Sequence, residues 1–214
     1  MKAIKIEKFG GPEVLELKDI EIGKPGPKEV LVKNNSIGLN YIDVYHRTGL
    51  YPLELPSGIG LEASGVVEEI GAEVSHFKVG DRVSHASAPI SGYSEKQIMP
   101  EEKLVIVPEG ISDEVASCIL LKGITSEYLL HRSYAAKKGD KVLFHAAAGG
   151  VGQILCQWAN ALGCEVIGTV GSNDKIEIAK KNGCHHVVNY TDTNFVDGVE
   201  KIVGKNAIDV VYDG

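Results

Sequence analysis

A short apolar run, Val142 to Phe144, is followed by HAAAGGVG at residues 145–152 and then by QILCQWANAL at residues 153–162, whose apolar side chains recur at helical spacing. Strand, glycine-rich turn and helix in that order form a phosphate site. The glycines let the backbone approach a pyrophosphate, and the unpaired N–H groups of the helix's first turn supply donors and partial positive charge. The register is Ala147-x-Gly149-x-x-Gly152, with Ala in place of the first glycine of GxGxxG. The plainer alternative is a tight turn that needs φ > 0, but the flanking strand and helix favour a dinucleotide. Residues 142–164 carry no Asp, Glu, Lys or Arg, about the ~20 residues of a membrane-spanning helix. His145, Gln153, Gln157, Asn160 and four glycines interrupt that stretch, so a buried strand-turn-helix describes it better.

The chain has 214 residues, enough for one large domain or two ordinary ones. Its net charge of -7 gives no footprint for a polyanion, so nucleic acid is not an expected partner. Cys118, Cys156, Cys164 and Cys184 stand singly, without metal-site pairing, and read as small buried residues of a reducing cytoplasm. The N-terminal MKAIKIEK alternates apolar and charged residues as a strand does and has no apolar core of a secretory signal.

Up to about residue 110, short runs at 3–7, 14–20, 29–37, 63–70, 82–84, 92–99 and 103–107 are separated by Gly, Pro and Asp. This predicts a β-barrel or curled sandwich. One helix, residues 40–46, interrupts it. Ser112-Asp-Glu opens a helix into 115–121, and a second, separate helix runs over 125–136 after Gly123. The domain boundary falls near Lys122, giving domains 1–122 and 123–214. Beyond it the pattern is βαβαβαβ: strands at 141–144, 165–170, 186–189 and 208–212, helices at 153–162, 174–181 and 193–203. Such alternation predicts a parallel sheet with both faces covered. A doubly wound sheet has six strands in the order 3-2-1-4-5-6, so this one is expected to be truncated after its fourth, with an edge left open.

The words HAAAGGVG, GLNYIDVYHRTGLYP, LPSGIGLEASGVV, VGDRV, LLKGITSEYLL and VVNY closely resemble the zinc-independent quinone oxidoreductases of the medium-chain dehydrogenase superfamily, relatives of zeta-crystallin. The resemblance runs along the whole chain. It implies an α/β protein with a GroES-like β-barrel catalytic domain and a Rossmann domain, NADPH as hydride donor, and a quinone acceptor reduced in the cleft between domains. Family chains continue beyond residue 214, with the last Rossmann strands, the strand that pairs homodimers and a segment returning to the catalytic domain. The homodimer is therefore not carried over to these 214 residues.

Zinc-dependent relatives place a catalytic Cys where this chain has Asn40, and Gly-His-Glu where it has Gly60-Leu61-Glu62. A catalytic zinc needs three protein ligands, and no metal is expected here. His46, His76, His85 and His131 are isolated and read as surface or satisfied histidines; the adjacent His185 and His186 point to opposite faces of a strand.

Hydride addition to a quinone needs little polarisation, so orientation becomes the main task, a contribution of ~7 to 11 kcal/mol when the geometry is right. The family pocket carries over to Asn40, Tyr45 and Tyr51 as positioning groups, although Tyr45 shares helical spacing with Tyr41 and Ile42 and would also serve as core. Unperturbed tyrosines titrate near pKa ~10 and can donate a hydrogen bond without acting as bases at neutral pH.

About 20 residues after the glycine turn, where an NAD enzyme places an acid on the ribose, stands Val170. Lys175 matches the family's lysine for the 2′-phosphate of NADPH; its plainer role is a solvated side chain, and that of Asp174 is first-turn charge. The remaining cofactor contacts implied by the resemblance are Asn40, Thr125, Gly149, Gly150, Val151, Gly152, Gly171, Ser172 and Tyr190. Two other readings stay open: an alkenal or enone reductase of the same superfamily, and a non-catalytic nucleotide- or RNA-binding protein.

Overall fold

The computed structural model describes residues 1–213 and divides the chain into two compact units, Met1–Leu121 and Lys122–Gly214. The terminal Gly214, with which the sequence pattern closes its last strand, lies outside the described residues.

The first unit carries β1 (Lys2–Ile6), β2 (Glu16–Asp19), β3 (Glu29–Gly38), α1 (Tyr41–Thr48), β4 (Ser57–Gly58), β5 (Glu62–Ile70), β6 (Arg82–Ala86), β7 (Lys96–Pro100) and β8 (Val105–Ile106), and then enters α2 (Asp113–Tyr128). Its strands form two antiparallel sheets, β2-β1-β4 and β7-β3-β5-β6-β8, with a single bridge from Ala3 to Ser94. This is the GroES-like architecture. Alternation along β3 turns Val30 and Val32 inward, where they meet Val67, Val83, Met99 and Leu104. Each such side chain contributes roughly 1.5–3 kcal/mol by leaving water. The run at 92–99 pairs as a strand only from Lys96, and the run at 103–107 shrinks to two residues because Glu101–Lys103 winds into a 3₁₀ turn. The two-residue β4 has no sequence pattern to reveal it.

Helix α2 is continuous through Gly123, so the two helices anticipated from the sequence are one. A Cβ at Gly123 would meet nothing within 4 Å; the glycine costs the helix about 1 kcal/mol against Ala but does not break it. Residues Leu129–Ser133 widen into a π-type turn, and the carbonyl of Leu129 accepts from Tyr134 N–H (3.2 Å) and Tyr212 Oη (2.9 Å).

The second unit carries β9 (Lys141–Phe144), α3 (Gly150–Ala161), β10 (Glu165–Val170), α4 (Asp174–Lys181), β11 (His186–Asn189), α5 (Phe195–Val203) and β12 (Val210–Tyr212). Among the described residues its strand pairings are parallel in the order β11-β10-β9-β12, the 3-2-1-4 part of a doubly wound sheet. The strands are apolar on both faces because both are covered. Val142, Phe144, Val166 and Val170 pack on Leu155, Cys156 and Ala159 of α3, while Leu143, Ile167 and Val188 pack with Val199 of α5.

Three cysteines are buried as anticipated, but Cys118 on α2 is exposed. The histidines also depart from expectation. His76 pairs with Glu101 (3.3 Å) and His131 packs edge-on against Trp158, but His46 and His85 are buried, and among the described residues His46 Nδ1 and His85 Nε2 have no hydrogen-bond partner. Among the described residues no helix is long and apolar enough to cross a membrane.

Candidate functional site

The glycine turn joins β9 to α3. Gly149 is the N-cap of α3, and the first intrahelical bond is made by Gln153 N–H to Gly149 O (3.0 Å). The N–H groups of Gly150, Val151 and Gly152 therefore precede the helical ladder, and α3 has no acidic residue in its first turn to compete for an anion. None of these three glycines has a positive φ; the left-handed residue of the turn is Ala146, at φ 54°. Close approach, not backbone sign, is what demands glycine here. A Cβ on Gly152 would stand 2.5 Å from Ala146 O and 2.6 Å from Ala147 O, and one on Gly150 would meet the Lys122 methylenes at 2.8 Å. The turn is tied to its neighbours by Ala147 N–H to Thr169 O (3.0 Å), His145 N–H to Tyr212 O (3.1 Å) and the His145 ring to Thr169 Oγ1 (2.8 Å). Phe195 packs edge-on against that ring, with centroids 5.0 Å apart.

β10 ends at Val170, which is buried, and Gly171 follows without a side chain. Tyr190 extends from the end of β11, its N–H on Val170 O (3.0 Å) and its hydroxyl against Gly171. Asn189 ties the two loops together by donating to Asn173 Oδ1 (2.9 Å) and Asp192 (2.9 Å). Lys175 is exposed in the first turn of α4. Beside it, the hydroxyl of Ser172 hydrogen-bonds Asp174 and holds that carboxyl below its ordinary range. Thr125 is half-buried on α2.

In the first unit, Asn40 caps α1 and is buried. Its N–H donates to Asp43 Oδ2 (2.9 Å) and its Nδ2 to Glu62 Oε2 (2.8 Å). Asp43 Oδ2 also accepts from Tyr93 Oη (2.8 Å); burial, with that hydrogen bond and charge, raises the Tyr93 pKa. Tyr45 lies one helical turn beyond Asn40 and is only half-buried, so it is not simply a core residue. Its ring stands 5.2 Å from that of Tyr51 and 5.1 Å from that of Tyr41, and Tyr51 N–H donates to Tyr45 O (3.1 Å). Tyr41 and Tyr51 are exposed, which makes this cluster an aromatic wall open to solvent.

A cavity of about 660 Å³ in the first unit lies along β1, β3 and residues 93–95 and touches none of Asn40, Tyr45 and Tyr51. A smaller one of about 110 Å³ is lined by Asn40, Asp43, Arg47 and Tyr93 among others. Sequence reasoning passed over Glu62 and His145 as supports of the site. The signal for Glu62 was an acid opening an otherwise buried strand; His145 gave none beyond its place in the turn. Among the described residues no three His, Cys, Asp or Glu side chains gather as a metal site.

Residues 26–136 match the alcohol dehydrogenase GroES-like domain, and residues 150–214 match the family described as zinc-binding dehydrogenase. The chain is 49% identical over 213 residues to a quinone oxidoreductase of Pseudomonas aeruginosa, covering 99% of this chain and 66% of that one. It is 45% identical to a 2-haloacrylate reductase of a Burkholderia species, covering 99% of this chain and 65% of the relative. The crystal structure of Escherichia coli quinone oxidoreductase complexed with NADPH superposes with a TM-score of 0.98 at 45% identity, over 100% of this chain and 66% of that one. The chain thus spans just under two thirds of the length of these relatives. Its fold and its sequence agree on one assignment: the chain belongs to the quinone oxidoreductase family of the medium-chain dehydrogenase/reductase superfamily.

Proposed function

We propose that the protein carrying this chain is an NADPH-dependent quinone reductase. The observation that carries the reading is the pairing of three ladder-free N–H groups at the start of α3 with a β10 that ends in Val170 instead of an acid. The first is suited to a pyrophosphate, and the second leaves a 2′-phosphate unopposed at the ribose position. The likeness to a quinone oxidoreductase complexed with NADPH supports the same choice.

The residues fit this cofactor. Gly150, Val151 and Gly152 would hold the pyrophosphate on their N–H groups, with Gly149 setting the turn. Lys175 would pair with the 2′-phosphate, while Tyr190, Gly171 and Ser172 frame the ribose end. Asn40 and Thr125 would hydrogen-bond the nicotinamide half, and Tyr45 and Tyr51 would present flat walls to the acceptor. Bound NADPH supplies a hydride to the quinone. The side chains contribute alignment and exclusion of water, and the acceptor takes its proton from solvent.

A second reading has its own support in the 2-haloacrylate reductase likeness: hydride addition to another conjugated, carbonyl-bearing alkene. A panel that follows NADPH oxidation with 1,4-benzoquinone and with short alkenals separates the two. The quinone is expected to be the faster acceptor by at least tenfold, and the reverse order would select the enone reductase. Turnover with NADH but not NADPH would remove Lys175 from its role. NADPH binding without reduction of either acceptor would leave a nucleotide-binding protein. We assign the protein to the cytoplasm, on the strength of its four free thiols.

A further inference from the structure

We infer that Cys156 and Cys184 form a peroxide-sensitive dithiol: oxidation joins them in a disulfide that ties α3 to the connection between α4 and β11. The observations lie within the second unit. Residues 182–184 run along the face of α3 that carries Gln153, Cys156 and Gln157. Asn182 Oδ1 accepts from Gln157 Nε2 at 3.0 Å, and its Nδ2 donates to Gln153 Oε1 at 3.4 Å. Gly183 has φ 98°, and a Cβ on it would stand 2.8 Å from Cys156 O, so glycine is what lets the connection come this close. Cys184 follows, and its thiol meets that of Cys156 inside the core cluster that also holds Ala147, Leu155 and Ala179. Gly168 keeps β10 clear of the Cys184 sulfur, from which a Cβ at 168 would stand 2.8 Å. Both thiols are free.

The two sulfurs are not equivalent. Cys156 Sγ–H donates to Cys184 Sγ; this contact raises the Cys156 pKa, with burial acting in the same direction, and lowers that of Cys184 against its own burial. Cys184 therefore ionises first. It is also the one that reaches the surface, at 6% exposure against 0% for Cys156. Attack on a peroxide needs a thiolate, and a neighbouring thiol then resolves the sulfenic acid. The Cys184 thiolate attacks hydrogen peroxide, a small uncharged oxidant. An S–O bond forms, the O–O bond breaks, and the departing hydroxide becomes water by taking up the proton that Cys184 had lost to solvent. The Cys156 sulfur next attacks the Cys184 sulfur; the S–O bond breaks, and hydroxide leaves as water with the Cys156 proton. Two thiols and one peroxide give one disulfide and two waters, the sulfurs losing the two electrons that the peroxide gains.

A disulfide holds its sulfurs about 2.05 Å apart, closer than two thiols in contact, so closing it displaces α3 or the 182–184 connection. Helix α3 begins at Gly150, six residues before Cys156, with the N–H groups assigned to the pyrophosphate. The consequence for the ligand rests on the NADPH reading; the modification itself does not.

The test is a peroxide titration of the whole protein, followed by alkylation in denaturant and peptide mass spectrometry. A peptide pair joined through Cys156 and Cys184, lighter by two hydrogens than its reduced form and released by dithiothreitol, is expected, with Cys118 and Cys164 unbridged. The oxidised protein is expected to bind NADPH about fivefold more weakly by fluorescence titration and to recover on reduction. Cys184→Ser and Cys156→Ser should form no bridge, and the NADPH affinity of each should not respond to peroxide. Absence of the joined pair at a dose that oxidises the exposed Cys118 would overturn the inference, as would a bridge to Cys118 or Cys164 in its place. The wild-type peptide map decides this even where a serine variant fails to fold. A bridge that leaves NADPH affinity unchanged would overturn the effect on the ligand end of α3. If the unmodified protein binds no NADPH, the cofactor reading falls, and the peptide map still decides the dithiol.

Discussion

Tyr190 lays its hydroxyl on Gly171, so that a methyl group at position 171 would collide with that oxygen and stand 2.9 Å from the ring carbon that bears it. The tyrosine is exposed, and its backbone N–H bonds Val170 O while its side chain reaches solvent, so the ring can swing away. Gly171→Ala is accordingly expected to cost less than about 1 kcal/mol of stability, because the far end of an exposed side chain yields easily. Its effect should fall on the ligand. With Tyr190 displaced from the ribose end, the KM for NADPH should rise roughly tenfold, about 1.4 kcal/mol, while the melting temperature shifts by a few degrees at most. An unchanged KM would show that Tyr190 does not face the cofactor.

Lys175 is exposed and sits next to Asp174, whose carboxyl pKa the Ser172 hydroxyl holds below its ordinary range. A cation at that place should discriminate between cofactors that differ only by a 2′-phosphate. Lys175→Ala should raise the KM for NADPH about tenfold and leave that for NADH within about twofold, and the difference should shrink as salt is added. Asp174→Asn should act in the opposite direction and tighten NADPH. Initial rates with both cofactors at low and high ionic strength test both substitutions.

His85 is fully buried on β6, and removal from water lowers its pKa from 6.5 to about 4, against a smaller opposing effect of Leu61 O, which contacts Nδ1 at 3.2 Å. Folded and unfolded chains both hold the ring neutral above pH 6.5. Between pH 6.5 and 4 the unfolded chain takes up a proton that the folded one refuses, so stability falls as the pH falls through this window. The loss is on the order of 3 kcal/mol by pH 4 and levels off below it. Urea unfolding of the wild type and of His85→Gln at pH 7, 5.5 and 4 should show the wild type losing stability faster over that range; parallel pH dependences would contradict the assignment.

Much of the second unit was legible because its elements are short, buried and separated by glycine-marked turns. The boundaries of β9, β10, α4 and β11 agree with the apolar runs that announced them. Where reading failed, the cause was tertiary. Gly123 looks like a stop because propensity disfavours it, but a helix supported by packing on either side passes through a single glycine. The glycine turn between β9 and α3 was legible as a turn, but its reason for glycine was not: the left-handed residue is Ala146, and Gly152 answers to the carbonyls of Ala146 and Ala147. The bond from Asn40 to Glu62 joins residues 22 apart in sequence, and neither has a local pattern that points to the other.

The parallel sheet also sets an order of assembly. Its central strand β9 meets β10 across a single helix, from Lys141 to Glu165, but meets β12 only when Val210 to Tyr212 has been synthesised. Two ties of the glycine turn, both from Thr169, belong to the early closure; the third, Tyr212 O on His145 N–H, comes last. Loop closure makes such late, distant pairings the slow ones. On the ribosome the glycine turn would therefore emerge and fold as part of a local βαβ unit, and acquire its brace from Tyr212 only after the chain had been made through that residue.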